Sequence, residues 1–195
     1  MEQRAKVLFD QRKFLEARPL LEQACAGGRW DSCDTLTVMH ILGLGGFSRD
    51  SSMAGKPFSE AISVFERACA NAEADACSHL GVMYKNGIGA PENWAKFFFY
   101  SSKACDGGDG LACLNIGIEY AVGGAVKQDY ARAAVCYSRS CNAGNAIGCQ
   151  NLGSLYRRGL GVAPDDPHAE ELFSKACKLG APGGCTELKE MNRRR

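Results

Sequence analysis

Through the stretch ACSHLGVMYKNG, Cys77, Leu80, Gly81 and Tyr84 stand at i, i+3, i+4 and i+7. That spacing lays one apolar stripe along one face of a helix. The stripe returns at a fixed interval: Gly81, Gly117 and Gly153 recur, as do Tyr84, Tyr120 and Tyr156, and then Gly87, Gly123 and Gly159. A glycine inside a helix costs about 1 kcal/mol relative to alanine. Its return at positions 81, 117 and 153 therefore predicts a neighbouring helix packed against a residue with no side chain. The glycines at 87, 123 and 159 sit where a left-handed C-cap ends a helix.

A second amphipathic pattern follows each first one, through NWAKFFFYSSKAC, DYARAAVCYSRSC and PHAEELFSKAC. Asp129 and Asp166 occupy expected N-cap positions, and Pro167 suits a first turn. FLEARPLLEQAC reads as the second helix of an incomplete leading unit, and GGCTELKEMN as a closing first helix. Self-similarity at this period means stacked helix pairs, none of which buries its apolar face alone. The predicted fold is all-α, a right-handed α-solenoid of antiparallel helix pairs forming one repeat domain over 1–195. Its parts are a leading half unit (1–30), unit one with an insertion (31–72), unit two (73–108), unit three (109–144) and unit four (145–180). A closing helix and basic tail occupy 181–195.

Cysteines mark the joints. Of the 11 in the 195-residue chain, ten form pairs eight apart: Cys25/Cys33, Cys69/Cys77, Cys105/Cys113, Cys141/Cys149 and Cys177/Cys185. The first member lies in the last turn of a second helix and the other in the first turn of the next helix. A tight turn between antiparallel helices brings such positions within disulfide reach. Disulfides linking one repeat to the next are the leading reading. Reduced core thiols and a metal site are the alternatives, the latter weakened by the absence of any C-x-x-C pair. Cys136 has no partner. It aligns with Val64, Tyr100 and Leu172 and is expected to be a small buried hydrophobe with a free thiol.

Charge narrows the function. With 23 basic and 22 acidic residues the net charge is +1, and no basic stripe suggests nucleic-acid binding. The terminal NRRR reads as a small solvated basic tail. No apolar run approaches the length of a membrane-spanning helix, and no signal peptide is visible. The paired cysteines favour an oxidising compartment, periplasmic, secreted or mitochondrial intermembrane space. No metal site and no cofactor are expected. The serine β-lactamase motifs are absent, and His40, His79 and His168 form no zinc-hydrolase motif.

The segments HLGVMYKNGIGAPENWAKFFFYSSKACDGG, NIGIEYAVGGAVKQDYARAAVCYSRSCNAG and NLGSLYRRGLGVAPDDPHAEELFSKACKLG resemble the Sel-one-like repeat, a relative of the tetratricopeptide repeat, across about residues 14–190. The cysteine pairs are similar to those of its cysteine-rich branch, which includes the Helicobacter cysteine-rich proteins and the cysteine-rich repeat assembly factor of the mitochondrial intermembrane space. Unit one departs from the pattern, with Thr37 and His40 in place of Gly and Tyr, and with eight extra residues within GLGGFSRDSSMAGKPFSE. Those eight are expected in the loop between its helices. Unit three has Ala125 where glycine stands at 89 and 161.

The resemblance implies a non-enzymatic scaffold or assembly adaptor binding a protein or extended peptide. Its Helicobacter branch implies, as the alternative, a penicillin-binding β-lactam hydrolase. On the residues themselves, His79, Asn115 and Asn151 fall two positions after the second cysteine of their units. With Asn86, Glu119 and Arg158 they predict a polar row on the concave side, able to bond the backbone of an extended peptide. The competing reading is that these amides bond the neighbouring repeat's own backbone instead. FFFY at 97–100 places Phe97 and Tyr100 at core positions. Phe98 and Phe99 are either further core or an apolar patch for a partner or a second copy.

Overall fold

The computed structural model describes residues 2–47 and 56–193, all in helices, turns and loops. The helices are α1 (Glu2–Asp10), α2 (Phe14–Ala26), α3 (Trp30–Leu42), α4 (Lys56–Ala70), α5 (Ala74–Asn86), α6 (Trp94–Asp106), α7 (Gly110–Val122), α8 (Tyr130–Asn142), α9 (Ala146–Arg158), α10 (Asp166–Lys178) and α11 (Pro182–Arg193). The fold is an α-solenoid of antiparallel helix pairs. By compactness the chain divides into two units, Met1–Tyr100 and Ser101–Arg195.

The joints between pairs are built alike. Each second helix ends in a three-residue turn whose middle residue is left-handed, at Gly28, Ala72, Gly108, Gly144 and Gly180. The third residue's N–H reaches back to a carbonyl five residues earlier, as Asp109 does to Ala104 (3.0 Å) and Asn145 to Ser140 (3.0 Å). This is the bond of a Schellman cap. Asp109 and Asn145 then cap the following helices, each accepting from two backbone N–H groups.

The turn brings each cysteine to its partner eight residues on, and the disulfide reading holds at every joint. Cys25 is bridged to Cys33 with a Cα separation of 4.8 Å, and Cys69 to Cys77 at 4.7 Å. Cys105 is bridged to Cys113 at 4.8 Å, Cys141 to Cys149 at 4.4 Å, and Cys177 to Cys185 at 4.6 Å. The reduced-thiol and metal alternatives fall away for these ten residues. The first four bridges are buried. Cys177 and Cys185 are only half-buried, at the joint that the closing helix alone follows.

In the Ser101–Arg195 unit the interior glycines act as expected. A Cβ on Gly117 would lie 2.7 Å from the Tyr137 ring, and one on Gly153 would lie 2.9 Å from the Phe173 ring. α7 thus packs on α8, and α9 on α10, around a core that includes Leu114, Leu152, Leu155 and Leu172. The Met1–Tyr100 unit has its own core of Leu21, Leu36, Met39, Phe65, Leu80 and Met83. The first-to-second helix loops begin at left-handed Gly43, Gly87, Gly123 and Gly159. They are pinned where Asn93, Asp129 and Asp165 donate their N–H to the carbonyls of Tyr84, Tyr120 and Tyr156.

Several expectations are corrected. The leading segment is a whole pair, because Glu2–Asp10 forms α1 and packs on α2. The N-cap of α10 is Asp165, whose carboxylate accepts from the His168 N–H, so that Asp166 lies inside the helix with Pro167. In unit one α4 has 15 residues against 13 in α6, α8 and α10, and residues 48–55, where the eight extra residues are expected, lie outside the described residues. At the unit-one departures, the Thr37 hydroxyl donates to the Cys33 carbonyl (2.9 Å), and the His40 ring packs on Phe47 (5.5 Å). Ala125 does not adopt the left-handed conformation of Gly89 and Gly161.

Candidate functional site

One position, two residues past the second cysteine, is occupied by Thr35, His79, Asn115, Asn151 and Glu187. All five lie on first helices of pairs or on the closing helix. Their environments differ.

His79, on α5, is about two-thirds covered. Its Nδ1 lies 2.8 Å from the Asp75 carbonyl and its Nε2 lies 2.6 Å from Asp34 Oδ1. An acceptor at each nitrogen fits the imidazolium, since both nitrogens then donate. Burial, the largest single influence, works against the charge. The hydrogen bond and charge of Asp34, joined by the Asp75 carbonyl and charge, outweigh it and raise the His79 pKa above the ordinary value. Asp34, together with Thr35 and Ser32, belongs to the same surface. Counting two residues past Cys33 finds Thr35, but no spacing rule points to Asp34.

Asn86, at the end of α5, donates its amide to the Val82 carbonyl of its own helix (2.8 Å). In the other unit, Asn115 is half-buried, and among the described residues its amide has no hydrogen-bond partner. Asn151 donates to the Tyr137 hydroxyl on the preceding helix, a side chain and not the backbone of the neighbouring repeat. Glu119, expected on the open row, is buried at 7 % exposure. Arg158 is exposed, whereas its neighbour Arg157 pairs with Glu187 across to α11.

Two clusters lie outside the predicted row. In the Met1–Tyr100 unit, Tyr84 and Tyr100 stack face to face (5.7 Å), and both hydroxyls donate to Glu66, at 3.3 and 3.2 Å. Lys96 Nζ donates to the Tyr84 hydroxyl (2.9 Å). Burial, then the Glu66 charge, pushes the Tyr100 phenol up to about 12, so it stays a neutral donor. In the Ser101–Arg195 unit, Arg139 reaches the Cys105 carbonyl (3.1 Å) and Asp106 (2.6 Å).

Cys136 has a free thiol, but it is only half-buried, at the edge of a shallow cavity beside Arg139 and Arg132. Its Cβ lies close to Gly117, at 3.2 Å from where a Cβ there would stand, but the Tyr137 ring, one residue on, is closer at 2.7 Å. Burial pushes its thiol up, against the opposing effect of Arg139. The thiol is therefore protonated near neutral pH and is a poor nucleophile. Of the four aromatics, Phe97 is fully buried, Phe98 and Tyr100 are half-buried, and Phe99 is 65 % exposed.

Among the described residues, no three His, Cys, Asp or Glu side chains are placed to hold a metal ion. No helix among them is long and apolar enough to cross a membrane.

The Sel1 repeat family model matches three successive segments, residues 74–109, 110–145 and 146–180. No curated protein matches the chain. Among solved structures, the chain is similar to a Sel1 repeat protein from Oxalobacter formigenes. The TM-score is 0.74 at 23% identity, covering 97% of this chain and 74% of that one. It is also similar to c5321, a protective antigen of uropathogenic Escherichia coli strains with an SLR fold. There the TM-score is 0.69 at 24% identity, over 89% of this chain and 36% of that one. Both likenesses concern the fold alone. Helicobacter pylori cysteine rich protein B is 34% identical, with a TM-score of 0.54, over 67% of this chain and 94% of that one.

Proposed function

This chain belongs to the Sel1 repeat family, whose repeats mediate protein–protein interaction, and on that premise we propose that it is a non-enzymatic adaptor binding an extended segment of a partner protein along its first helices. The observation that carries this reading is Asn115. A half-buried amide with no partner among the described residues can both donate to and accept from the backbone of a bound strand. His79 supports the same reading in the other unit, with Asn86 and Arg158 as more exposed contacts. Glu119 and Asn151 act there as supports, because one is buried and the other is engaged by Tyr137. The exposed Phe99 supports an apolar contact with a partner or a second copy, Phe98 contributing less. Five bridges favour an oxidising compartment.

A peptide-array screen followed by titration of the best binder tests the proposal. Asn115→Ala should weaken binding about three- to ten-fold, the value of one net amide hydrogen bond, and leave the helical spectrum unchanged. Turnover of a chromogenic β-lactam by highly purified protein is measured beside it. If turnover is abolished by one Ser or Lys substitution and no peptide binds at micromolar concentration, the chain is an enzyme of the Helicobacter type instead.

A further inference from the structure

We infer that the first-helix pocket of the Met1–Tyr100 unit receives a lysine or arginine side chain from the protein segment bound there, an inference that rests on the protein-binding reading above.

The pocket is a cavity of about 570 Å³ walled by α1, α3 and α5, with Leu21 of α2 behind them. Phe9 and Leu21 give it apolar surface against which the methylene stem of a long cationic side chain can lie. Its charge is one-sided. Asp10, Asp31, Asp34 and Asp75 line it, against Lys6 and His79 alone. Even with His79 charged and paired with Asp34, the exposed carboxylates of Asp10, Asp31 and Asp75 face a single lysine.

An acidic cluster alone would not distinguish a ligand site from a solvated face. Ser32 does. It lies in the first turn of α3, lines the same pocket, and is only 2 % exposed, yet its hydroxyl has no hydrogen-bond partner. Leaving a buried hydroxyl unpaired is unfavourable, and folded chains seldom tolerate it without a compensating role. An ammonium or guanidinium entering between α1 and α3 supplies the missing donor. The carboxylates above it neutralise the charge, and the geometry suits a group that carries several N–H donors and no acceptor. An anion meets the wrong field, and a neutral apolar side chain leaves Ser32 unpaired.

The test uses the full disulfide-bonded chain and ¹⁵N amide shifts at low ionic strength. The probes are acetyl-Gly-Gly-X-Gly-Gly-amide peptides with X as lysine, arginine, norleucine or glutamate. A norleucine peptide with a free amino terminus separates a side-chain cation from a terminal one. The lysine or arginine probe should bind about ten-fold more tightly than the norleucine probe. Shifts should centre on residues 31–35 and 75–79, and raised salt should weaken the binding. Asp31→Asn with Asp75→Asn should remove the preference. Ser32→Ala should weaken binding while raising the urea midpoint of the free protein, a pair of effects that a merely structural serine does not produce.

Equal binding of the lysine, norleucine and glutamate probes overturns the inference, as does preference for the glutamate probe or for the free terminus alone. A lysine preference untouched by the aspartate substitutions overturns it too. If these probes fail while array peptides still bind in an Asn115-dependent way, only this inference falls. If no peptide binds at all, the adaptor reading falls with it.

Discussion

Replacing Cys141 and Cys149 together with alanine removes one bridge while leaving both helices and their connecting turn in place. Cysteines eight apart close a short loop, and the constraint on the unfolded chain is worth about 2.5 kcal/mol. Both residues are buried, at 2 % and 0 % exposure, so the lost sulfurs leave a small void worth about 0.5–1 kcal/mol more. The Asn145-to-Ser140 backbone bond and the Asn151-to-Tyr137 contact still hold α9 on α8. The variant should therefore stay helical but lose about 3 kcal/mol. For a chain of this length that lowers Tm by about 6–12 °C.

Urea unfolding followed by far-ultraviolet circular dichroism reads the loss, in a Cys136→Ala background so that no thiol can reshuffle the remaining bridges. A change below about 1 kcal/mol would refute the reasoning, since it would mean that the unfolded chain is already restrained without the bond. A fall in native helicity would refute it differently, by showing that the bridge and not the packing keeps α9 docked. The half-buried Cys177–Cys185 bridge closes a loop of the same length with less sulfur to bury, so its removal should cost nearer the loop term alone. The same arithmetic over five separate loops comes to about 12 kcal/mol, comparable with the whole stability of an ordinary domain. Excess reductant should accordingly unfold the wild-type chain at room temperature.

Two further outcomes follow from local geometry. Ala72 holds the left-handed turn position that glycine holds at the other four joints. Ala72→Gly should relieve about 1–2 kcal/mol of backbone strain, offset in part by chain entropy, for a net gain of about 0.5–1 kcal/mol in urea unfolding. His79 has a raised pKa through Asp34 and Asp75, so its contribution to stability is fully present below its unfolded value near 6.5 and is lost as pH rises through the higher folded value. His79→Gln should therefore cost more stability at pH 5.5 than at pH 9, as read from urea midpoints; an equal cost at both would show that the ring is not held charged.

The first helices α5, α7 and α9 are legible in the sequence because each carries three landmarks in fixed register: a cysteine in its first turn, a glycine where its neighbour comes close, and a glycine at its end. The second helices show a cysteine in the last turn. These report on the helix that bears them, so a single chain segment suffices to read them. The pairing of Cys105 with Cys113, or of Cys177 with Cys185, is legible for the same reason, since one turn joins both members. α1 has none of these landmarks, so no repeat signal marks it as a helix of the stack. Asp165 and Asp166 are adjacent and chemically equal, so only the observed bond to the His168 N–H assigns the cap. Glu119 and Asn151 depart from the predicted row for a different reason. Tyr137 on another helix lies close to both, and the repeat position it occupies is held by Phe65, Ser101 and Phe173 elsewhere, so the phenol hydroxyl that meets them is peculiar to this unit. Exposure on a solenoid face depends on the neighbour's side chain, which periodicity does not encode.

That dependence also says where function can vary. Gly117 against Tyr137 and Gly153 against Phe173 leave no room for change, because an added Cβ meets a ring. The position two past the second cysteine has no such constraint, and there the chain places threonine, histidine, asparagine twice and glutamate. Toward the carboxyl end the position serves the fold itself, with Asn151 holding Tyr137 and Glu187 holding Arg157. At Asn115 it is open, and at His79 it faces Asp34 beside a pocket with an unsatisfied serine. One repeated framework thus carries two kinds of residue at one address, structural near the closing helix and available near the start. A partner that reads this chain should lose affinity when Asn115, Ser32 or the aspartates around it are changed, and stability without selectivity when Asn151 or Glu187 is.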